Sequence, residues 1–541
     1  MAMATDGRSS GAIWRAGLLA FWVAGAAGAQ VGAYSAPAPA GDAAQSPSSA
    51  GAASTNARGG WLIVPTLTLR ETATDNVNQA PPGTARSDWV TEIVPGIRID
   101  GQGARVKLHL DYRMDNVVYA RESSNNNLQN YLDASGSLEA IENFLFLDAR
   151  AAISQEAISP FGPRPTDATS INNNRTETRT YQLSPYIRGR LFGATDYLVR
   201  YDYTDMHSQS SASGDSKVGN FSAHLAGITT LTQLSWSAEA TAESVDNQFT
   251  RDTQDNRVRG VLTYAIDPQF KINGTLGYER NDLITLETTG NSTYGGGFEW
   301  APTSRSKVWG NWERRFFGDG WNYGVSNHSP YLSFTISDTR DVTTDAQSSL
   351  GGSGFQSAYN LLFSALATRF PDPIDRAAEA QRLLHSGSIP SDLGLPPDFI
   401  VGTAYLEDRQ QASVTLLGVR NTISFSVYQT TRDALFAPGE NVGVLPPGTN
   451  NTHEWGAGAN FIHRLTAFTT LNAGATWRKT NSTSGPDVTS KEWTARAGLS
   501  SSFGRLTTGS LEYRYTKFDS DTGGASDYRE NALIASLLMQ F

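Results

Sequence analysis

From Trp61 to Phe541 the chain repeats one pattern, segments of roughly nine to twelve residues in which apolar and polar positions alternate. Val106, Leu108, Leu110 and Tyr112 share one face of such a segment, and Lys107, His109, Asp111 and Arg113 share the other. Tyr197, Val199, Tyr201 and Tyr203 oppose Leu198, Arg200, Asp202 and Thr204 in the same way. Leu471, Ala473, Ala475 and Trp477 oppose Asn472, Gly474, Thr476 and Arg478, and Leu511, Tyr513 and Tyr515 oppose Glu512, Arg514 and Thr516. Side chains of a strand alternate between its two faces, so a period of two predicts strands with one apolar face.

A soluble sandwich or propeller would also alternate. Here aromatic residues gather near segment ends, and the segments have the length of a tilted membrane crossing. Lipid offers the backbone no hydrogen-bond partner, so a sheet that spans it must close on itself. The pattern therefore predicts an all-β fold, a transmembrane outer-membrane β-barrel occupying residues 60–541.

Connections alternate in length. Short ones fall at Gly101-Gln102-Gly103, Glu142-Asn143, Phe192-Gly193, Asp267-Pro268, Arg420-Asn421 and Phe503-Gly504. Long polar ones run through Asn76–Ser87, Ser159–Arg175, His207–Ser216 and Pro438–Asn450. Barrels of this kind have short periplasmic turns and long external loops. Treating Trp321–Thr339 as one strand makes counts from the two ends disagree. A turn at His328-Ser329-Pro330 restores agreement, because proline is poorly tolerated inside a ladder. The count becomes about 22 antiparallel strands, with 20 as the lower bound.

Between those strands, residues 342–399 carry two expected helices, Ser357–Phe370 and Pro373–His385, in an extracellular insertion. Upstream, Ala16–Gly28 is an apolar run behind Arg8 and Arg15 and followed by small residues. That is the form of a secretory signal peptide, residues 1–29, with cleavage after Ala29. Residues 30–59 are rich in Ala, Pro, Ser and Gly and are expected to be a flexible periplasmic lead-in. That stretch is too short for the plug domain of a TonB-dependent transporter. The last strand ends on Phe541, an arrangement that resembles the assembly signal read by the barrel-assembly machinery.

Composition narrows the chemistry. The chain has no cysteine, which excludes disulfides and thiolate sites, and its net charge of −10 argues against nucleic acid as a partner. His109, His207, His224, His328, His385, His453 and His463 are scattered without metal-ligand spacing. Gly295-Gly296-Gly297 lies inside a strand, which is not the context of a phosphate loop, and is expected to relieve crowding at a bend. No enzyme, cofactor or metal is expected. The informative residues are charges on the polar face. Lys107, Arg113, Arg150, Arg200, Asp202, Arg259, Arg478 and Arg514 are predicted to face the lumen, where they pair with acids or form a polar track.

The start of the barrel carries a string of its own. Trp61-Leu62-Ile63-Val64-Pro65 leads through Glu71 to Thr74-Asp75-Asn76-Val77, then Ser87-Asp88-Trp89 and Ile93-Val94-Pro95-Gly96-Ile97. Phe144-Leu145-Phe146-Leu147-Asp148-Ala149, Arg315-Phe316-Phe317-Gly318 and Arg420-Asn421-Thr422-Ile423-Ser424-Phe425 follow. Their order and spacing resemble the PEP-CTERM-system-associated outer membrane proteins. The resemblance implies association with exopolysaccharide export or surface assembly, with export components as partners beside outer-membrane lipid. A general diffusion porin and a non-transporting adhesion barrel are the competing expectations. All of them place the chain in the outer membrane of a Gram-negative bacterium.

Overall fold

The computed structural model describes residues 60–164, 167–209, 214–248, 250–344, 404–438, 451–484, 487–504, 506–521 and 527–541. The strands begin with β1 (Trp61–Thr74), β2 (Asp88–Gln102), β3 (Val106–Tyr119), β4 (Asn127–Ile141), β5 (Leu145–Ala157) and β6 (Arg175–Leu191). Next come β7 (Thr195–Ser208), β8 (Ser216–Ile228), β9 (Leu234–Asn247), β10 (Thr253–Ala265) and β11 (Phe270–Asn281). Then follow β12 (Thr289–Thr303), β13 (Ser306–Arg315), β14 (Gly318–His328), β15 (Leu332–Thr343) and β16 (Tyr405–Leu417). The last are β17 (Asn421–Ala434), β18 (Asn451–Arg464), β19 (Thr469–Ser482), β20 (Thr489–Ser502), β21 (Thr507–Ser520) and β22 (Tyr528–Gln540).

Each strand pairs antiparallel with its sequence neighbour, and β22 pairs with β1 from Thr66↔Gln540 to Thr74↔Ala532. The sheet is thus a closed 22-stranded barrel without a free edge. Phe541 lies at the seam, its backbone N–H donating to the Pro65 carbonyl at 2.9 Å.

Burial runs opposite to that of a soluble protein. Leu276 is 73% exposed and Val258 60%, whereas Glu279, their polar-face neighbour, is 0% exposed. Arg200, Asp202, Glu92, Glu530 and Arg514 are buried, while Ile93, Leu262, Tyr201 and Leu533 are exposed. The apolar faces point outward and the charges inward. Trp61, Trp300 and Phe144 ring the short-turn end of the outer surface, and Trp89, Tyr278, Trp455 and Trp493 ring the other. These are the positions of interfacial aromatic girdles.

Local chemistry sets the turns. Phe192 and Gly193 both have positive φ, 51° and 73°, as the hairpin turn that matches strand twist requires. The tripeptide Gly295-Gly296-Gly297 lies within β12 and shows no break there. A Cβ on Gly295 would sit 2.2 Å from the Trp312 carbonyl oxygen, so close approach to β13 explains it better than the expected bend.

The turn at His328-Ser329-Pro330 separates β14 from β15 as predicted. The expected helical insertion is not borne out. Val342 and Thr343, its first two residues, complete β15, and residues 345–403 lie outside the described residues. The only helix among the described residues is the 3-10 turn Ser123–Asn125. The signal peptide and lead-in, 1–59, also lie outside the described residues.

Because Leu276 faces outward at mid-strand, Leu276→Arg is expected to cost about 2–4 kcal/mol, and Thr275→Arg on the lumen face much less. Folding yield into lipid vesicles, read by heat-modifiable gel mobility, tests this. Equal yields for the two variants would contradict the assigned faces.

Candidate functional site

The inner wall is a mosaic of ion pairs set by cross-strand register. Arg200 on β7 donates to Asp148 of β5 at 2.9 Å and to Asp202 at 2.7 Å, and the Ser184 hydroxyl donates to Asp202 at 2.5 Å. Arg259 on β10 lies opposite Glu239, to which it donates at 2.7 Å, and reaches Glu313 at 3.4 Å. Arg478 on β19 lies opposite Glu492 and donates to it at 2.6 Å. Arg514 on β21 donates to Glu530 of β22 at 3.3 Å. Arg113 stacks 4.4 Å above the Tyr131 ring, Arg150 is half-buried opposite Ser135, and Lys107 is exposed near the short-turn rim opposite Gln102. The eight residues picked from sequence therefore do not converge. They are spread around the circumference, most of them tied to local acids.

What brings distant strands together is a loop. The described residues of the β5–β6 connection, 158–164 and 167–174, fold into the mouth instead of extending from it. Pro160, Gly162 and Pro163 deny the segment a ladder, and Asn174 ties its base. Asn174 accepts from the Ser159 N–H at 2.7 Å and donates to the Ser159 and Pro163 carbonyls at 2.8 and 3.2 Å. The Arg164 guanidinium then reaches Glu454 on β18 at 2.8 Å, an acid that also accepts from the Tyr428 hydroxyl at 2.7 Å and Thr480 at 3.0 Å.

Three residues on, Asp167 pairs with Arg514 of β21. Its other oxygen accepts from the Thr169 and Ser170 backbone N–H groups at 3.0 and 3.2 Å. Ala168 joins Val77, Val90, Val117 and Tyr119 in a small apolar cluster, with Ile171 packed against it. The Ile171 N–H donates to the Val77 carbonyl at 2.9 Å, and Tyr119 donates to the Thr169 carbonyl at 3.0 Å. The loop is thus pinned to β18 and β21 and to the β1–β4 sector.

A closed sheet with exposed apolar faces and buried charges is stable in lipid and not in water. The chain is an integral barrel of a Gram-negative outer membrane. No family model matches its sequence, and no curated protein matches it. It is similar to solved outer-membrane structures. The ferric-catecholate import receptor Fiu from E. coli K12 matches with 10% identity, covering 90% of this chain and 82% of that one, at a TM-score of 0.48. The FrpB iron transporter from Neisseria meningitidis gives 8% identity, 88% and 81% coverage and a TM-score of 0.47. OccK1 from Pseudomonas aeruginosa gives 8% identity, 89% and 100% coverage and a TM-score of 0.33.

Electrostatics make the loop contact durable. Burial pushes the Asp167 carboxyl up, but the Arg514 guanidinium, its hydrogen bond and that of Thr169 outweigh it, with Arg175 adding to them. The carboxyl is held well below the usual carboxylate range. A depressed pKa contributes stability above the unfolded value, near 3.9, and loses it only as pH falls through the folded value. Hydrogen exchange of residues 167–171 is therefore expected to show unchanged protection between pH 7 and about pH 4, after correction for intrinsic rates. Opening of this segment between pH 6 and about pH 5 would refute that.

Sequence inspection missed Arg164, Asp167 and Glu454, and it missed the buried pair Arg70–Glu92, 3.0 Å apart on β1 and β2. A signal existed for Glu92, which shares parity with the apolar Val90 and Val94 and so had to be partnered. None existed for Arg164 and Asp167, which lie in an aperiodic segment.

Proposed function

We propose that the barrel is a polar passage for a hydrated polysaccharide, narrowed at its mouth by residues 158–174, and that it serves exopolysaccharide export or surface assembly. The observation that supports this reading is an aromatic and arginine platform on the inner wall of β5–β7. Phe146 and Tyr186 stack at 5.0 Å, with the Arg188 guanidinium 4.3 Å above Phe146 and that of Arg200 5.1 Å from Tyr186. Tyr131 beneath Arg113 repeats the arrangement on β3 and β4. Phe146 is buried within the stack, and the half-buried Tyr186 ring is the one that suits the C–H face of a sugar, with flanking donors for its hydroxyls.

The test is single-channel recording from the full-length protein in planar bilayers, with purified exopolysaccharide fragments added. Block of the current by these fragments, weakened by Tyr186→Ala, supports the reading. Conductance that passes small sugars without such block identifies a general diffusion porin instead. No conductance from folded protein favours a non-transporting surface barrel. Deleting the gene and measuring surface polysaccharide tests the cellular role, and an unchanged amount would count against it.

A further inference from the structure

The outer surface of β19–β22 carries a charge pattern that the lumen does not explain. At the long-loop end, Lys479 lies directly opposite Lys491, and Lys517 directly opposite Arg529. All four belong to the lipid-facing parity, two positions from Trp477, Trp493, Tyr515 and Asn531 respectively. Like charges directly opposite in a sheet are destabilising. Within this row one acid, Asp519, lies directly opposite Lys491 and 2.6 Å from Lys517, so four cations share a single carboxylate. Elsewhere among the described residues of this rim, Arg314 lies beside Asp319 and His207 between Asp205 and Asp215. The concentration of cations is also against the chain's net charge of −10.

Beside this row a groove of about 330 Å³ opens between β22, β1 and β2. Leu533, Tyr513, Trp89 and Ala73 line it towards the membrane, and Asp75 and Arg121 close its loop end. Cations at headgroup level above an aromatic girdle, next to a groove whose membrane side is apolar, match an amphiphile with an anionic head and acyl tails.

We propose that this face binds a phosphorylated, acylated glycolipid of the outer leaflet. Its phosphates lie among Lys479, Lys491, Lys517 and Arg529, and an acyl chain lies along the groove. The bound phosphates relieve the two like-charge cross-strand pairs, so the lipid stabilises the side of the barrel that contains the β1–β22 seam.

Native mass spectrometry of the full-length protein released from micelles containing bisphosphorylated lipid A tests this. Wild type is expected to retain the lipid, and the fourfold variant K479Q/K491Q/K517Q/R529Q to retain at least tenfold less. A control removing cations elsewhere on the rim, R179Q/K217Q/R314Q/R340Q, is expected to match wild type, and dephosphorylated lipid A to be lost. Should the fourfold variant fail to fold, K479Q/K491Q and K517Q/R529Q separately carry the same comparison. Retention by the variants equal to wild type, equal loss in the control, or no retention by wild type would overturn the proposal. So would displacement of the lipid by millimolar inorganic phosphate, which would make the site one for free anions.

Discussion

Full-length protein carrying both Arg164→Gln and Asp167→Asn is expected to insert and close its barrel normally but to lose the inward packing of residues 158–164 and 167–174. The two side chains are the loop's charged anchors to β18 and β21. Removing one partner of a buried ion pair typically costs about 3–5 kcal/mol, because the other charge is left uncompensated. Here the wall partners keep other contacts, Glu454 with Tyr428 and Thr480 and Arg514 with Glu530, so the barrel itself is spared. The loss falls on loop docking. A shift of that size is roughly a hundredfold to a few thousandfold in an equilibrium constant. The backbone N–H of Ile171, bonded to Val77, should exchange faster by about that factor in hydrogen-exchange mass spectrometry. Single-channel conductance should rise with it. Wild-type protection in the double variant would mean that the apolar cluster around Val77 and Val117 holds the loop without its charges.

The second large effect is expected at Arg315, at the end of β13. One guanidinium serves three carboxylates there: Glu279 at 3.0 Å, Asp341 at 2.5 Å and Asp255 at 3.6 Å. Glu279 is fully buried and also accepts from the Phe316 backbone N–H at 2.5 Å. Phe316 and Phe317 pack beside the guanidinium, with ring centres 5.8 and 5.1 Å away. Arg315→Met leaves acids from β10, β11 and β15 facing one another with their cation gone. A cost of about 3–5 kcal/mol is expected, visible as a lowered urea midpoint in detergent micelles. Arg314→Met removes an exposed pair with Asp319 and should cost less than about 1 kcal/mol. Similar midpoints for the two variants would show that the hub does not hold its sector of the wall.

These cases show where sequence reading succeeds. Arg200, Arg259, Arg478 and Arg514 could be placed opposite apolar neighbours because strand parity is local: it needs only the residues two places away. The turn at His328–Pro330 was legible because a closed barrel with both ends on one side must have an even number of strands. The helical insertion was inferred from local helix signals, and its opening residues instead continue β15. The two expected helices begin only at Ser357, outside the described residues, and it is the boundary of the insertion that moves: pairing with Leu406 and Tyr405 of β16 keeps Val342 and Thr343 in the ladder.

The sequence by itself determined that the chain forms about 22 strands, which faces meet lipid, and which charges turn inward, since a period of two reports all of these locally. Only the tertiary structure decided which charges meet. Arg164 and Glu454 are 290 residues apart, and Asp167 and Arg514 are 347 apart. Their contacts exist because β22 closes on β1 and makes β18–β22 neighbours of the loop that leaves β5. The row of Lys479, Lys491, Lys517 and Arg529 likewise follows from register, for each is an ordinary surface cation until the ladder sets it beside the next. Closure and register depend on all of the strands at once, and that is why no short stretch of sequence contains them.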